Sequence, residues 1–166
     1  GHNEGLKNLE VFAITQDQDL DYWIGTNNGI TILPGDLNAR DQSPLALTKA
    51  QKVAESTEDI KVRFLEIDTE GVVWIGTENQ RILFYEPWNN KLMDAFHINR
   101  WFYRTDMQVT ALELDQDNTL WVGTGDGLIK FHIKTGEIQR FSNDNGLIGN
   151  SITALYCDSE NQLWVG

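Results

Sequence analysis

The sequence predicts an all-β chain, a β-propeller fragment of about three and a half four-stranded antiparallel blades. Two observations predict it. A short phrase recurs four times, as Trp23-Ile24-Gly25-Thr26, Trp74-Ile75-Gly76-Thr77, Trp121-Val122-Gly123-Thr124 and Trp164-Val165-Gly166, with starts 51, 47 and 43 residues apart. Each Trp follows an Asp by six residues (Asp17, Asp68, Asp115 and Asp158), and a short apolar run such as Val109 to Leu112 precedes each Asp. Linked positions repeated every 40–50 residues or so mark a solenoid, a propeller or an array.

The first unit begins at Val11, turns at Asn28-Gly29 and continues through a third strand at Ile30 to Leu33. After Pro34-Gly35 the pattern is lost: Asp36 to Asp59 is polar and long, and Leu45 to Ala54 fits a fourth strand or a short helix. The second unit carries strands at Val72 to Thr77, Ile82 to Tyr85 and Leu92 to Phe96. It departs from the others at Gln80-Arg81, which stands where they have Gly29-Ile30 and Gly127-Leu128.

The third unit is the most regular. Strands read at Val109 to Leu114, Leu120 to Thr124, Leu128 to Ile133 and Ile138 to Phe141, with an Asp-Gly hairpin turn at Gly125-Asp126-Gly127. The fourth unit shows two strands. Residues 1–166 thus read as one partial propeller, with blades at about 9–59, 60–99 and 107–142 and a partial blade at about 150–166. The strands are nearly continuously apolar, as in sheets covered on both faces.

Twenty-five acidic residues against 13 basic ones leave a net charge of -12, which argues against binding nucleic acid through its phosphates. An apolar share of 40% with six Trp can bury a core. Cys157 is the single cysteine, so no intrachain disulfide forms, and in its apolar run it reads as a small buried side chain. No apolar run approaches the roughly 20 residues of a membrane-spanning helix.

The repeated residues read as scaffold. A buried Trp is the largest apolar gain open to a strand. The Gly two residues on shares its face and leaves room for a bulky group from the next blade. The Asp opens a turn and accepts backbone N–H groups. His2, His97 and His132 lack metal-ligand spacing, no nucleophile motif is present and no glycine-rich loop opens a helix. No metal, cofactor or catalytic residue is expected, and the chain does not read as an enzyme.

The pattern of apolar run, Asp turn, Leu-Trp-Val-Gly-Thr and Asp-Gly-Leu, clearest from Leu114 through Phe131, resembles the two-component regulator propeller repeat. Gly5-Leu6 and Gly146-Leu147 resemble the family's inter-repeat Gly-Leu. The likeness extends over the chain except Asp36 to Asp59 and Trp88 to Arg104. It implies the periplasmic sensor ectodomain of a bacterial signalling protein with a histidine kinase or diguanylate cyclase output, and some members sense oligosaccharides. The partners so implied are the remaining blades and the downstream signalling domains, with a glycan or other small ligand. Fewer than four units in a fold of 4–8 blades indicate a fragment whose open blade faces invite two copies to associate.

In a blade, the turn between strands two and three shares a face with the connection to the next blade. That face would gather Gln80 and Arg81 with Trp101, Phe102, Tyr103 and Arg104, an aromatic and basic set suited to gripping a sugar ring or a peptide. The opposite face would carry an acidic rim that includes Asp17, Asp19, Asp117 and Glu160, suited to turn capping or, with oxygen ligands, to Ca²⁺. The competing readings are a propeller enzyme of the lactone-lyase type and a pure interaction scaffold.

Overall fold

The computed structural model describes residues 10–35, 53, 56–95 and 108–166. Within them lie four antiparallel sheets in chain order. The first holds β1 (Val11–Gln16), β2 (Tyr22–Thr26) and β3 (Gly29–Leu33). The second holds β4 (Val62–Ile67), β5 (Val73–Thr77), β6 (Ile82–Glu86) and β7 (Lys91–Asp94), and the third β8 (Val109–Leu114), β9 (Thr119–Thr124), β10 (Gly127–His132) and β11 (Glu137–Phe141). The last pairs β12 (Leu155–Cys157) with β13 (Leu163–Val165). Each sheet is a meander whose strands pair in sequence order, as the short turns between apolar runs require. This is the propeller-fragment architecture expected from the repeat.

The sheets stack through their first strands. β1 packs beside β4, β4 beside β8 and β8 beside β12, so the first strand of each unit is innermost. β1, β4 and β8 each carry a register shift at the same place: between Val11 and Ala13, Val62 and Phe64, and Val109 and Ala111. A bulge there increases local twist and bends the inner strand.

Two apolar layers fill the spaces between sheets. Trp23, Ile30 and Ile32 of the first sheet meet Val62, Leu65, Val73, Ile75 and Tyr85 of the second. Trp74, Ile82 and Phe84 of the second meet Leu112, Leu120, Val122, Ile129 and Phe131 of the third. Both faces of β5 are covered, which explains its unbroken apolar run.

The repeated Gly is where neighbouring sheets close up. A Cβ built on Gly25 would lie 2.5 Å from Val62 Cγ1, and one on Gly123 would lie 2.7 Å from Ile152 Cγ2, each an aliphatic group of the next unit. The room expected from the missing side chain is there and is filled. At Gly76 the nearest group is the unit's own Phe64 ring, 2.7 Å away, because Phe64 stands where the other units carry Ala13, Ala111 and Ala154.

Of the stretch Leu45 to Ala54, only Val53 is described, and it is helical, as are Ser56 and Thr57. Val53 is buried against the first two sheets. Thr57 Oγ1 donates to Val53 O at 2.8 Å and accepts from Ile30 N at 2.9 Å, tying this turn to the start of β3.

Candidate functional site

The prominent repeat residues form an internal clamp. In every unit one carboxylate oxygen of the Asp accepts two backbone N–H groups of its own turn, and the other accepts the indole N–H six residues on. Asp17 takes Asp19 N, Asp21 N and Trp23 Nε1 at 3.0, 2.9 and 2.8 Å. Asp68 takes Glu70 N, Val72 N and Trp74 Nε1 at 2.9, 2.9 and 3.1 Å. Asp115 and Asp158 repeat the arrangement, with the indoles of Trp121 and Trp164 at 2.9 and 2.7 Å. The scaffold reading of these residues stands, with two refinements: the Asp also orients the Trp, and Trp burial is graded. Trp23 and Trp74 are buried, Trp121 is half-buried and Trp164 is exposed, because the burying atoms belong to the next sheet.

The phrase's last residue is part of the same machinery. Thr26 Oγ1 donates to Gly29 O at 3.0 Å and accepts from Asn28 N, and Thr124 does the same with Gly127 O at 2.7 Å and Asp126 N. A buried hydroxyl thus closes each tight turn. The recurring Thr was its signal in the sequence.

Two faces emerge from this frame as expected. The turns between second and third strands lie with the inter-sheet connections: Gly29 N donates to Ile60 O and Glu78 N to Lys61 O, at 2.7 and 2.9 Å. The turns between first and second strands form a chain along the opposite face. There Thr69 is held by Asn118, and Gln116 by Asn161.

On the first of these faces a cleft of about 230 Å³ opens beside the second sheet. It is lined by Asp59, Ile60, Lys61, Thr77, Glu78, Asn79, Arg81 and Leu83. Its shape follows from one residue. Thr77, unlike Thr26 and Thr124, is followed by a three-residue turn before the chain pairs again, because Ile82, not Arg81, faces Gly76. Gln80-Arg81 therefore does not replace Gly-Ile as the sequence suggested; Arg81 takes the glycine's place and Gln80 is an added residue, held at φ +67°.

Arg81 Nε donates to Asp94 Oδ2 at 2.9 Å, so the guanidinium stands upright on β7 at the rim. Across from it Glu78 bridges Lys61, at 2.7 Å, and Arg63. Hydrogen bonds from Lys61 first and Arg63 second hold the Glu78 carboxyl below its ordinary range. Arg63 also lies over the Phe12 ring, 3.9 Å from its centroid, which fixes the guanidinium from below. Gln80 does not line the cleft. Trp101, Phe102, Tyr103 and Arg104 lie outside the described residues.

On the opposite face a second cleft of about 350 Å³ is lined by Asp17, Gln18, Asp19, Trp23, Ile67, Gly71, Pro87 and Trp88. The exposed Trp88 sits in the turn between third and fourth strands, and sequence reasoning passed over it. Its signal was Pro-Trp in a turn that reads Ile133-Lys134 at the same positions of the third unit.

Glu66 and Glu113 occupy equivalent positions on the inner strands β4 and β8. Burial, helped by the charge of Glu113, pushes the Glu66 carboxyl up to about 8. Burial also raises Glu113, against the bond it accepts from Cys157 N at 2.8 Å. The Cys157 thiol is raised by burial and by the carboxylates of Asp115, Glu113 and Asp158. That is the reverse of what a nucleophilic thiolate needs. Among the described residues no three His, Cys, Asp or Glu side chains gather as a metal site.

Residues 104–126 and 146–166 match the family model described as two component regulator propeller. Among solved structures, the extracellular domain of BT4673 from B. thetaiotaomicron, described as a hybrid two component system, superposes with a TM-score of 0.67 at 24% identity. That of BT3049 from the same organism superposes with a TM-score of 0.68 at 23% identity. The match covers 99% and 97% of this chain but 21% of each of those chains, so the present chain spans about a fifth of their length. Virginiamycin B lyase from Staphylococcus aureus is similar at 18% identity and TM-score 0.64, over 96% of this chain and 49% of the lyase. At these identities the likenesses establish the propeller fold. No curated protein sequence matches significantly.

Proposed function

We propose that this chain is a ligand-sensing propeller segment of a bacterial signal-transduction receptor, displayed on the periplasmic or extracellular side of the membrane. The observation that carries the reading is the match of residues 104–126 and 146–166 to the two-component regulator propeller, together with the structural likeness to extracellular domains of two-component systems. Binding without chemistry suits the described residues. The carboxylates of the four turns are committed to their own backbone and indole N–H groups, and the single thiol is held protonated.

The ligand meets the face that carries the cleft beside Arg81. There Lys61, Glu78, Asn79 and Arg81 offer donors and acceptors around Ile60 and Leu83. Charged forks and amides over an apolar floor grip vicinal hydroxyls and the apolar face of a sugar ring. A net charge of -12 disfavours polyanionic chains, so the occupant is a neutral oligosaccharide. By the order of the repeat in the sequence, Trp101 to Arg104 are proposed as further ligand contacts.

A thermal-shift screen of neutral oligosaccharides followed by calorimetric titration tests this. The expected result is a stabilising hit weakened about tenfold or more by Arg81→Ala and by Trp101→Ala. A screen without any stabilising sugar, or a hit indifferent to both substitutions, removes the oligosaccharide and the site respectively.

A further inference from the structure

We propose that the cleft beside Trp88 binds the acetamido group of an N-acetylated sugar, as a second site on the face opposite the Arg81 cleft and independent of it. The junctions between neighbouring sheets show what this cleft is shaped to hold. At two of them an Asn side chain plugs the space between consecutive turns. Asn118 Oδ1 accepts from Thr69 N at 3.1 Å, and Asn118 Nδ2 donates to Thr69 Oγ1 at 2.6 Å. Asn161 Oδ1 accepts from Gln116 N at 2.9 Å, and Asn161 Nδ2 donates to Asp117 Oδ2 at 2.8 Å.

The junction of the first and second sheets has the same frame without the plug. Gln18 Nε2 donates to Thr69 O at 3.2 Å, as Gln116 Nε2 donates to Ser159 O at 3.3 Å. The residue in the place of Asn118 and Asn161 is Gly71, and among the described residues nothing lies within 4 Å of a Cβ built there. Gln18 and Asp19, the counterparts of Gln116 and Asp117, therefore line the cleft with no carboxamide from position 71 between them.

A planar amide from outside restores both bonds. Its carbonyl accepts from Gln18 N, and its N–H donates to the Asp19 carboxylate, which has acceptor positions for more than one donor. The methyl of an acetamido group then lies against Ile67 and Pro87.

The cleft, at about 350 Å³, is larger than a carboxamide, and Trp88, 61% exposed, forms another of its walls. An indole face suits the apolar face of a sugar ring. Hole and ledge occur together: where Asn118 plugs the junction, Lys134 holds the position of Trp88. An Asn or Gln side chain of a peptide fills the hole but leaves the indole bare, so the ledge favours the sugar. An acetamido group is neutral, and the net charge of -12 does not oppose it.

Calorimetry and amide NMR with N,N′-diacetylchitobiose test the proposal, with cellobiose, which has hydroxyls in place of the acetamido groups, as the reference. The expected result is binding at least about tenfold tighter than that of cellobiose, with shifts of the Gln18 amide and Trp88 indole signals. Gly71→Asn supplies the plug from within. Position 71 has φ +84°, in the region that Asn118 and Asn161 occupy at +57° and +60°, so this variant should abolish binding while the melting temperature holds or rises. Trp88→Ala, at an exposed position, should weaken binding about tenfold. Circular dichroism checks both variants, and Trp88→Ala decides alone should Gly71→Asn not fold. Equal binding of the two sugars, no binding of either, or binding that survives Gly71→Asn overturns the proposal. Shifts confined to the Arg81 cleft overturn it too and leave the reading of that cleft intact. N-acetyl-asparagine amide binding more tightly than the sugar assigns the hole to a peptide and overturns the sugar.

Discussion

Asp68→Asn is the sharpest test of the Asp–Trp clamp. The substitution keeps the side-chain volume and leaves one carbonyl oxygen for Glu70 N and Val72 N, now at 2.9 Å each. It turns an amide N–H₂ toward Trp74 Nε1, which at present donates to Asp68 Oδ2 at 3.1 Å. Donor then faces donor. Asp68 and Trp74 are both buried, so water does not replace the lost acceptor. A hydrogen bond to a charged partner contributes about 1.5–3 kcal/mol, and an orphaned buried donor costs about 1–3 kcal/mol, so the overlapping losses should sum to about 2–4 kcal/mol.

The same change at the other units separates clamp from composition, because bond lengths are nearly constant while burial is not. Asp115→Asn, beside the half-buried Trp121, should cost about 1–2 kcal/mol. Asp158→Asn, beside the exposed Trp164, should leave the urea midpoint close to that of the wild type. Urea unfolding followed by far-ultraviolet circular dichroism reads the series, provided the slope of free energy against urea stays constant. In a Trp74→Phe background, which lacks the indole N–H, the cost of Asp68→Asn should shrink, and the difference is the coupling energy. Equal midpoint shifts at all three sites, or no shift at Asp68, would refute the idea that the clamp's value lies in a bond shielded from water.

Two further outcomes follow from the same geometry. Because the folded chain raises the Glu66 carboxyl to about 8, the folded state binds its proton more tightly than the unfolded state does. That contribution is complete below the ordinary carboxylate range and is lost as pH rises through about 8, with a slope of at most about 1.4 kcal/mol per pH unit from this group. Glu66→Gln should flatten the fall in stability between pH 5 and pH 8, a window set by the range of that shift, and an unchanged pH profile would show that Glu66 is solvated. In the first turn Leu20 sits at φ +65°, where the other units place Gly71, Asn118 and Asn161. Its side chain is exposed, so Leu20→Asn should relieve about 1 kcal/mol of backbone strain and raise the melting temperature. A lower melting temperature would mean that Leu20 packs more than its exposure suggests.

What could be read from the sequence, and what could not, divides along physical lines. Strands and turns were legible because apolar runs and Asp-Gly or Asn-Gly pairs are local signals, and repetition at four places raised them above chance. The order of sheets followed from the order of repeats. The six-residue spacing from Asp to Trp was visible, but its meaning depended on a hairpin register, Thr15 opposite Trp23 and Glu66 opposite Trp74, that brings indole and carboxylate together. The extra residue at Gln80 was misread for the same reason: counting along the chain placed Arg81 opposite the wrong partner, and only the pairing of Gly76 with Ile82 corrects it. Trp88 was missed because an isolated aromatic in a turn has no repeat to be compared with. The exposure of Trp164 was also beyond reach, since a strand does not encode the atoms that will cover it.

That last point joins the scaffold to the sites. In a stack of this kind each sheet is stabilised by what the next one lays over it, so the energy resides in interfaces between neighbours more than within sheets. Val62 over Gly25, Tyr85 beside Trp23 and Phe131 beside Trp74 are such interfaces, and each is made by residues that follow the unit they stabilise. Where the repeat is regular the side chains are therefore committed to the next sheet and are not available to a ligand. Freedom to bind arises where a unit adds or changes something outside those interfaces. The added Gln80 lifts Arg81 onto the rim of a cleft, and Pro87-Trp88 opens another on the far face, without disturbing Trp74 or Gly76 between them. A propeller can thus vary its turns independently of the interfaces between its sheets, which is why the cleft-lining residues lie in the turns and the stabilising contacts lie between neighbours.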